Sequence, residues 1–227
     1  IEYLKNLSNK IDMICATEEF YNKIDNSLIS KIPEKYFISF EIMKKLSELS
    51  TPSSVLLVVN YEKFNLNIEH ILETDLILML DNIQDPGNLG TIIRTADWFG
   101  INYIICSPNS VDCYNQKVIQ SSMGSLLRVN LYYTDLYGFL ETVKTTDQKF
   151  NIYGTFLEGA SIYEESLKLP AIIILGNESR GISNYLKESI DKKLFIPSFS
   201  NKRNKPNSLN VAIATAIVLS EFRRRNP

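Results

Sequence analysis

The chain has 227 residues, 44% of them hydrophobic, and a formal net charge of −2, which allows one large or two modest packed cores and gives no overall sign of a nucleic-acid binder. Three cysteines without CxxC spacing and a single histidine, His70, point away from a disulfide framework and from any metal centre, so no metal is expected. Apolar runs such as VLLVV and AIIIL are far shorter than the ~20 residues a membrane span needs, and no signal segment opens the sequence, so no membrane contact and a cytoplasmic location are expected.

In chain order, IEYLKNLSNK reads as the last turns of a helix, which implies a strand and a helix start upstream. IDMICAT, KYFISF and SSVLLVVN then read as short strands, with TEEFYNKI and FEIMKKLSELS as helices between them. Residues 1–60 are thus expected to form a small α/β domain. The polar stretch that follows has no strong period, and 61–75 is expected as a linker to a second domain over 76–227. All nine glycines lie at Gly87 or later, consistent with two segments built differently.

Beyond the linker, LILML, YIICS, FNIYGTF, AIIIL and KLFIP read as strands separated by helices or loops, the pattern of a mostly parallel sheet covered on both faces. Ligands in such sheets bind beyond the carboxyl ends of the strands. Three of those ends carry unusual residues. After the first, DNIQDPGNLG offers a Pro86-Gly87 turn, Asn88 as a helix cap, and Gly90 where something approaches the backbone closely. Arg94 follows on the helix face that looks toward this loop, unless it merely pairs with Asp97. After the fourth strand, GNESRG crowds Asn177, Glu178 and Arg180 beside Gly176; an internal Glu-Arg pair is the plain alternative. After the fifth, Ser208 and Asn210 open the apolar run LNVAIATAIVLSEF, where Ser208 can also serve as the N-cap. From Asp191 onward eight Lys and Arg face two acids, either a phosphate-binding surface or a solvated loop and basic helix end.

Taken together, DNIQDPGNLGTIIRTADWFG, ILGNESRGIS and IP…SLNVAIATAIVLSEFRR resemble, in order and spacing, the three motifs of the SpoU/TrmH family of RNA ribose 2′-O-methyltransferases in the SPOUT superfamily. The resemblance covers roughly 76–225, and FEIMKKLSELSTPSSVLLVV resembles the end of the small RNA-binding domain that precedes the catalytic domain in many members. It implies an α/β fold whose parallel sheet ends in a C-terminal trefoil knot, S-adenosylmethionine bound in that knot, and a homodimer with an active site completed across the interface. Carried over by position, Arg94, Asn88, Glu178, Ser208 and Asn210 are the catalytic set. Thr155, Leu175, Gly176, Asn177, Ile196, Ser208 and Leu209 would surround the cofactor, and Lys202, Arg203 and Lys205 would meet RNA.

The chemistry needs no histidine. A methyl sulfonium is already electrophilic, so the protein must align a ribose hydroxyl and stabilise its oxygen as the proton leaves. Arg94 suits the second task, but guanidinium stays protonated and is a poor base; a substrate phosphate or Glu178 is the proton acceptor, and both stay open. One departure from the family stands out: the link SFSNKRNKPN is longer than in most relatives and has no glycine. Ribosomal RNA is the expected substrate. Transfer RNA, an inactive RNA-binding homologue and a small-nucleotide binder are the alternatives, the last opposed by the lack of a Walker or GxGxxG pattern.

Overall fold

The structure, a computed structural model, describes residues 4, 10–47, 49, 51–60, 68–146, 150–200 and 207–226. Most of the expected opening helix turns lie outside the described residues, as do Lys202, Arg203 and Lys205. Two units divide the chain, Ile1–Lys63 and Phe64–Pro227.

In the first unit, β1 (Ile11–Ala16) pairs parallel with β2 (Glu34–Phe37) and antiparallel with β3 (Val55–Val59). Helices α1 (Glu18–Lys23), α2 (Asn26–Ile29) and α3 (Phe40–Leu46) begin where Thr17, Asp25 and Ser39 accept hydrogen bonds from backbone N–H groups of the first turn. Ile11, Ile14, Ala16, Ile29 and Ile32 form its core, while β2 is exposed along its length.

The second unit contains α4 (Ile68–Leu72), β4 (Leu76–Leu80), α5 (Pro86–Trp98), β5 (Tyr103–Cys106), α6 (Gln116–Ser122), β6 (Asn130–Tyr133) and α7 (Leu136–Lys144). It continues with β7 (Asn151–Ser161), β8 (Ala171–Leu175), α8 (Asn184–Lys187), β9 (Lys192–Phe195) and α9 (Val211–Arg225). Its six strands lie in the order β6-β5-β4-β8-β7-β9, with every pairing parallel. The two central strands are buried at every position, so they are continuous apolar runs without alternation. Leu76, Leu78 and Leu80 pack with Leu89, Ile92, Ile93 and Phe222 of α5 and α9 on one face; Ile77 and Met79 pack with Leu140 and Leu186 of α7 and α8 on the other.

Two expectations change. The stretch expected as a linker carries α4, whose Ile71 and Leu72 are buried in the second unit's core, while 61–67 lie outside the described residues. Gly90 is not a place where a ligand approaches. A Cβ there would stand 2.8 Å from the Val118 carbonyl and 1.9 Å from the Ser121 hydroxyl, so the close approach belongs to α6 packing on α5.

Helix α9 lies beside α5 and parallel to it. At their starts Asn210 meets Asn88, and at their ends Arg223 donates to the Phe99 and Gly100 carbonyls. The arginines of α9 are therefore engaged within the protein. Arg223 pairs with Asp75, and Arg225 donates to the carbonyls of Ile162, Tyr163 and Glu165. Arg224 and Arg225 both grip Glu221, which is only 7% exposed. Arg223 and Arg225 thus anchor the helix end to the protein, while the Arg224 side chain stays 67% exposed.

The Arg224 guanidinium, hydrogen-bonded to Glu221 and reinforced by Arg225, outweighs the cost of burial and holds its carboxyl down at about 2. An unfolded glutamate titrates at about 4.3. The stability this difference contributes is present above that value and is lost as pH falls from there through the folded value. Thermal unfolding should show Glu221→Gln less stable than wild type at pH 7, with a smaller loss of Tm between about pH 4.5 and pH 2. Equal pH slopes for the two proteins would remove Glu221 from the account of acid stability.

Candidate active site

The carboxyl ends of β4, β8, β7 and β9 lie side by side, and the three unusual segments hang from them. α5 starts at Asp85, not at Asn88 as expected. The Asp85 side chain accepts the Asn88 N–H at 2.7 Å, and Pro86 fills the first helical position, where a missing N–H costs nothing. This leaves the Asn88 side chain free for other work. Its amide donates to Glu178 Oε1 at 2.9 Å, and its Oδ1 accepts from Asn210 Nδ2 at 2.8 Å. One side chain therefore joins all three segments.

Asn210, not Ser208, caps α9, accepting from the N–H groups of Ala212 and Ile213. Its Oδ1 orders the helix start and its Nδ2 reaches Asn88. Ser208 and Leu209 precede the cap and are exposed, Leu209 at 48%.

The loop that carries Glu178 is a narrow turn. Asn177 and Gly181 exchange backbone hydrogen bonds at 3.1 and 2.9 Å, while Asn177 Oδ1 accepts from the Ser179 and Arg180 N–H groups. Gly176 has no alternative: a Cβ there would lie 2.2 Å from both the Gly181 carbonyl carbon and the Ile182 nitrogen. Glu178 is exposed and bonded to Asn88, and the alternative internal pair with Arg180 does not form among the described residues.

Arg94 lies six residues, or about 9 Å of helix rise, beyond Asn88. It is exposed on a row of α5 that includes Thr91 and Trp98, and it makes no hydrogen bond or ion pair among the described residues. Asp97, the expected alternative partner, is taken by Arg128 through bonds of 2.7 and 2.9 Å. Burial would raise the Asp97 carboxyl, but Arg128 and Ser125 bring it below its ordinary range. Arg94 is thus an exposed guanidinium without an internal role.

The expected cofactor residues divide in two. Gly154 is in register with Ile174 and Thr155 with Leu194, which sets Thr155, midway along β7, level with the ends of β8 and β9 and so beside Leu175, Gly176, Asn177 and Ile196. The Thr155 hydroxyl donates to the Ile174 carbonyl at 3.3 Å. Ser208 and Leu209 stand at the approach to α9. Asn177 serves the loop itself, since its amide donates to the Asn82 carbonyl at 2.7 Å.

Sequence reasoning missed Asp81, Asn82, Asp85 and Ser183. Asp85 had a legible signal, an acid immediately before a proline that opens an apolar helix. Asp81 had none beyond its position after a strand. The three cysteines are buried, and burial pushes the Cys113 thiol up to about 11, so a thiolate nucleophile is not on offer there. Among the described residues no cluster of metal-ligating side chains occurs and no helix is long and apolar enough to cross a membrane.

The model of the SpoU rRNA Methylase family matches residues 75–220. The 23S rRNA (guanosine(2553)-2′-O)-methyltransferase RlmP of Bacillus subtilis is 30% identical over 83% of this chain and 72% of its own. The structure of a TrmH-family protein of Porphyromonas gingivalis, described as a putative RNA methyltransferase, superposes with a TM-score of 0.83 at 35% identity, covering 99% of this chain and 86% of that one. The SpoU methyltransferase AviRb of Streptomyces viridochromogenes, in complex with the cofactor AdoMet, shares the fold with a TM-score of 0.82 at 22% identity, over 99% of this chain and 88% of that one. With the family model spanning the whole parallel sheet and all three joined segments, the chain belongs to the SpoU rRNA Methylase family.

Proposed function

We propose that this chain transfers the methyl group of S-adenosylmethionine to a ribose 2′-oxygen of ribosomal RNA. The observation that carries the reading is the Asn88 side chain, bonded to Glu178 and Asn210, which gathers the three family segments beside an unengaged Arg94. The 23S rRNA activity of the RlmP relative favours ribosomal over transfer RNA. The presence of Arg94, Asn88, Glu178, Ser208 and Asn210 favours an active enzyme over an inactive homologue.

The strand ends suit the cofactor. Backbone at Leu175 and Gly176 lies between Thr155 and the start of α5, Ile196 is half-buried, and Leu209 presents an exposed apolar side chain beside α9, a surface fit for a purine and its ribose. S-adenosylmethionine, when bound, supplies a methyl group on a sulfonium that needs no further activation. Arg94 holds the ribose oxygen as its proton leaves, through a planar fork that favours the developing anion over the neutral hydroxyl. The proton goes to a substrate phosphate or to Glu178, whose Oε2 carries no hydrogen-bond donor among the described residues.

Three further features belong to the same reading. β9 lies at one edge of the sheet while α9 lies beside α5, and this placement is in keeping with a C-terminal trefoil knot. Lys202, Arg203 and Lys205 are proposed RNA contacts on charge alone. In the first unit, Phe37 at 71% exposure and Phe40 beneath Lys44 offer rings on which unpaired bases stack, in keeping with an RNA-binding domain.

A homodimer through α5 and α9 completes the proposal. Val211 and Val218 are buried in the chain's own core, but Ile213 at 52% and Trp98 at 85% exposure remain on the outer faces of these parallel helices. Light scattering should give about twice the chain mass of 26.0 kDa. A monomer at micromolar concentration would contradict a shared site.

Arg94→Ala should lower single-turnover methyl transfer by roughly 100-fold or more while cofactor affinity by calorimetry is unchanged, and Arg94→Lys should restore little. A folded Arg94→Ala protein with near-normal turnover would end the catalytic assignment.

A further inference from the structure

Beneath the Glu178 loop lies a largely buried polar cluster that borders the strand ends, where the Asp81 N–H donates to the Leu175 carbonyl. Asp81, at the end of β4, has no exposed surface. Its Oδ2 accepts the Ser183 N–H at 2.6 Å and its Oδ1 accepts Asn82 Nδ2 at 2.6 Å. Asn82 adopts a left-handed conformation with φ of 56°, which turns its carbonyl toward the Asn177 amide at 2.7 Å. Its own N–H donates to Ser107 Oγ, which is bonded in turn to Ser110. The loop 177–183 is therefore held at both ends by the two residues that directly follow β4, at Asn177 through Asn82 and at Ser183 through Asp81. Glu178 stands between these two attachments, and its carboxylate meets Asn88.

The geometry points to Asp81 as a positioning residue for methyl transfer, setting through the Asn82 and Ser183 attachments where Glu178 stands against Asn88. This rests on the proposed function and on a role for Glu178 within it. A buried carboxylate with one neutral donor on each oxygen gives a directional link, whereas an apolar side chain in its place leaves the Ser183 N–H without a partner in the interior. Asn82 extends the same link: a non-glycine residue at positive φ persists only where its surroundings hold it. A shift of the loop by about 1 Å suffices to cost about 100-fold in rate where reacting groups must be aligned.

Four proteins test the inference: wild type, Asp81→Asn, Glu178→Gln and the double variant. Each is measured for single-turnover methyl transfer to unmodified ribosomal RNA and for cofactor binding by calorimetry. An amide at position 81 keeps the shape but sets a donor against one of its two donors. Asp81→Asn should slow transfer about 10- to 100-fold with cofactor affinity unchanged, and it should add no further loss in the Glu178→Gln background. A Glu178→Gln protein with normal turnover, or losses that multiply in the double variant, would show that Asp81 does not act through Glu178 and would overturn the inference. Should Asp81→Asn fail to fold, Asn82→Gly keeps the positive φ and the carbonyl to Asn177, removes the amide to Asp81, and carries the same expectation. A wild type that transfers no methyl overturns the functional reading itself, a result distinct from an active wild type with independent effects.

Discussion

The three segments of the site meet in the two hydrogen bonds of the Asn88 side chain. They join residues 90 and 122 positions apart in sequence, and both are exposed. Each contributes about 1 kcal/mol net, far too little to hold three chain segments together against their conformational entropy. The segments must already be in place. Asp85 and Asn210 fix the starts of two parallel helices, and the parallel sheet below sets their spacing. Asn88 therefore reports an alignment that the sheet and the caps create, and locks it at small cost.

The same economy governs the polar residues at the strand ends. Asp81, Asn82, Asn177 and Ser183 spend their hydrogen-bonding capacity on one another, and Arg223, Arg224 and Arg225 spend theirs on Asp75, Glu221 and backbone carbonyls. Against that background Arg94 stands out, because a guanidinium with no internal partner among the described residues contributes little to stability and remains available to a substrate. Engaged polar groups and an unengaged one are thereby separated within a few residues of each other.

Much of the sheet is legible in the sequence, for a physical reason. β4 and β8 are covered on both faces, so Leu76–Leu80 and Ala171–Leu175 are unbroken apolar runs that no polar residue interrupts. β6, Asn130–Tyr133, escaped notice because an edge strand with half-exposed residues carries no such run, and β7 continues to Ser161 through a bulged segment where it pairs with β9. The motif residues were legible by resemblance, but their local roles were not. Asn88 and Ser208 looked like caps because both residue types cap helices; Asp85 and Asn210 hold those positions because they immediately precede the first turns. The packing of Gly90 and the anchoring of Arg223 and Arg225 were not legible for a different reason. Their partners, Val118 and Ser121 in one case and Asp75 and the 162–165 carbonyls in the other, lie far away in sequence or across the fold, and no local pattern announces them.

The central claim is that a ribose oxygen, rather than a base, receives the methyl group. The direct measurement is to incubate the protein with unmodified ribosomal RNA and methyl-labelled S-adenosylmethionine, digest the RNA to nucleosides and separate them by chromatography and mass spectrometry. The account predicts label in a 2′-O-methylated nucleoside, with a matching gap in the alkaline hydrolysis ladder where that hydroxyl is blocked. Label in a base-methylated nucleoside, or no label at all, would contradict it.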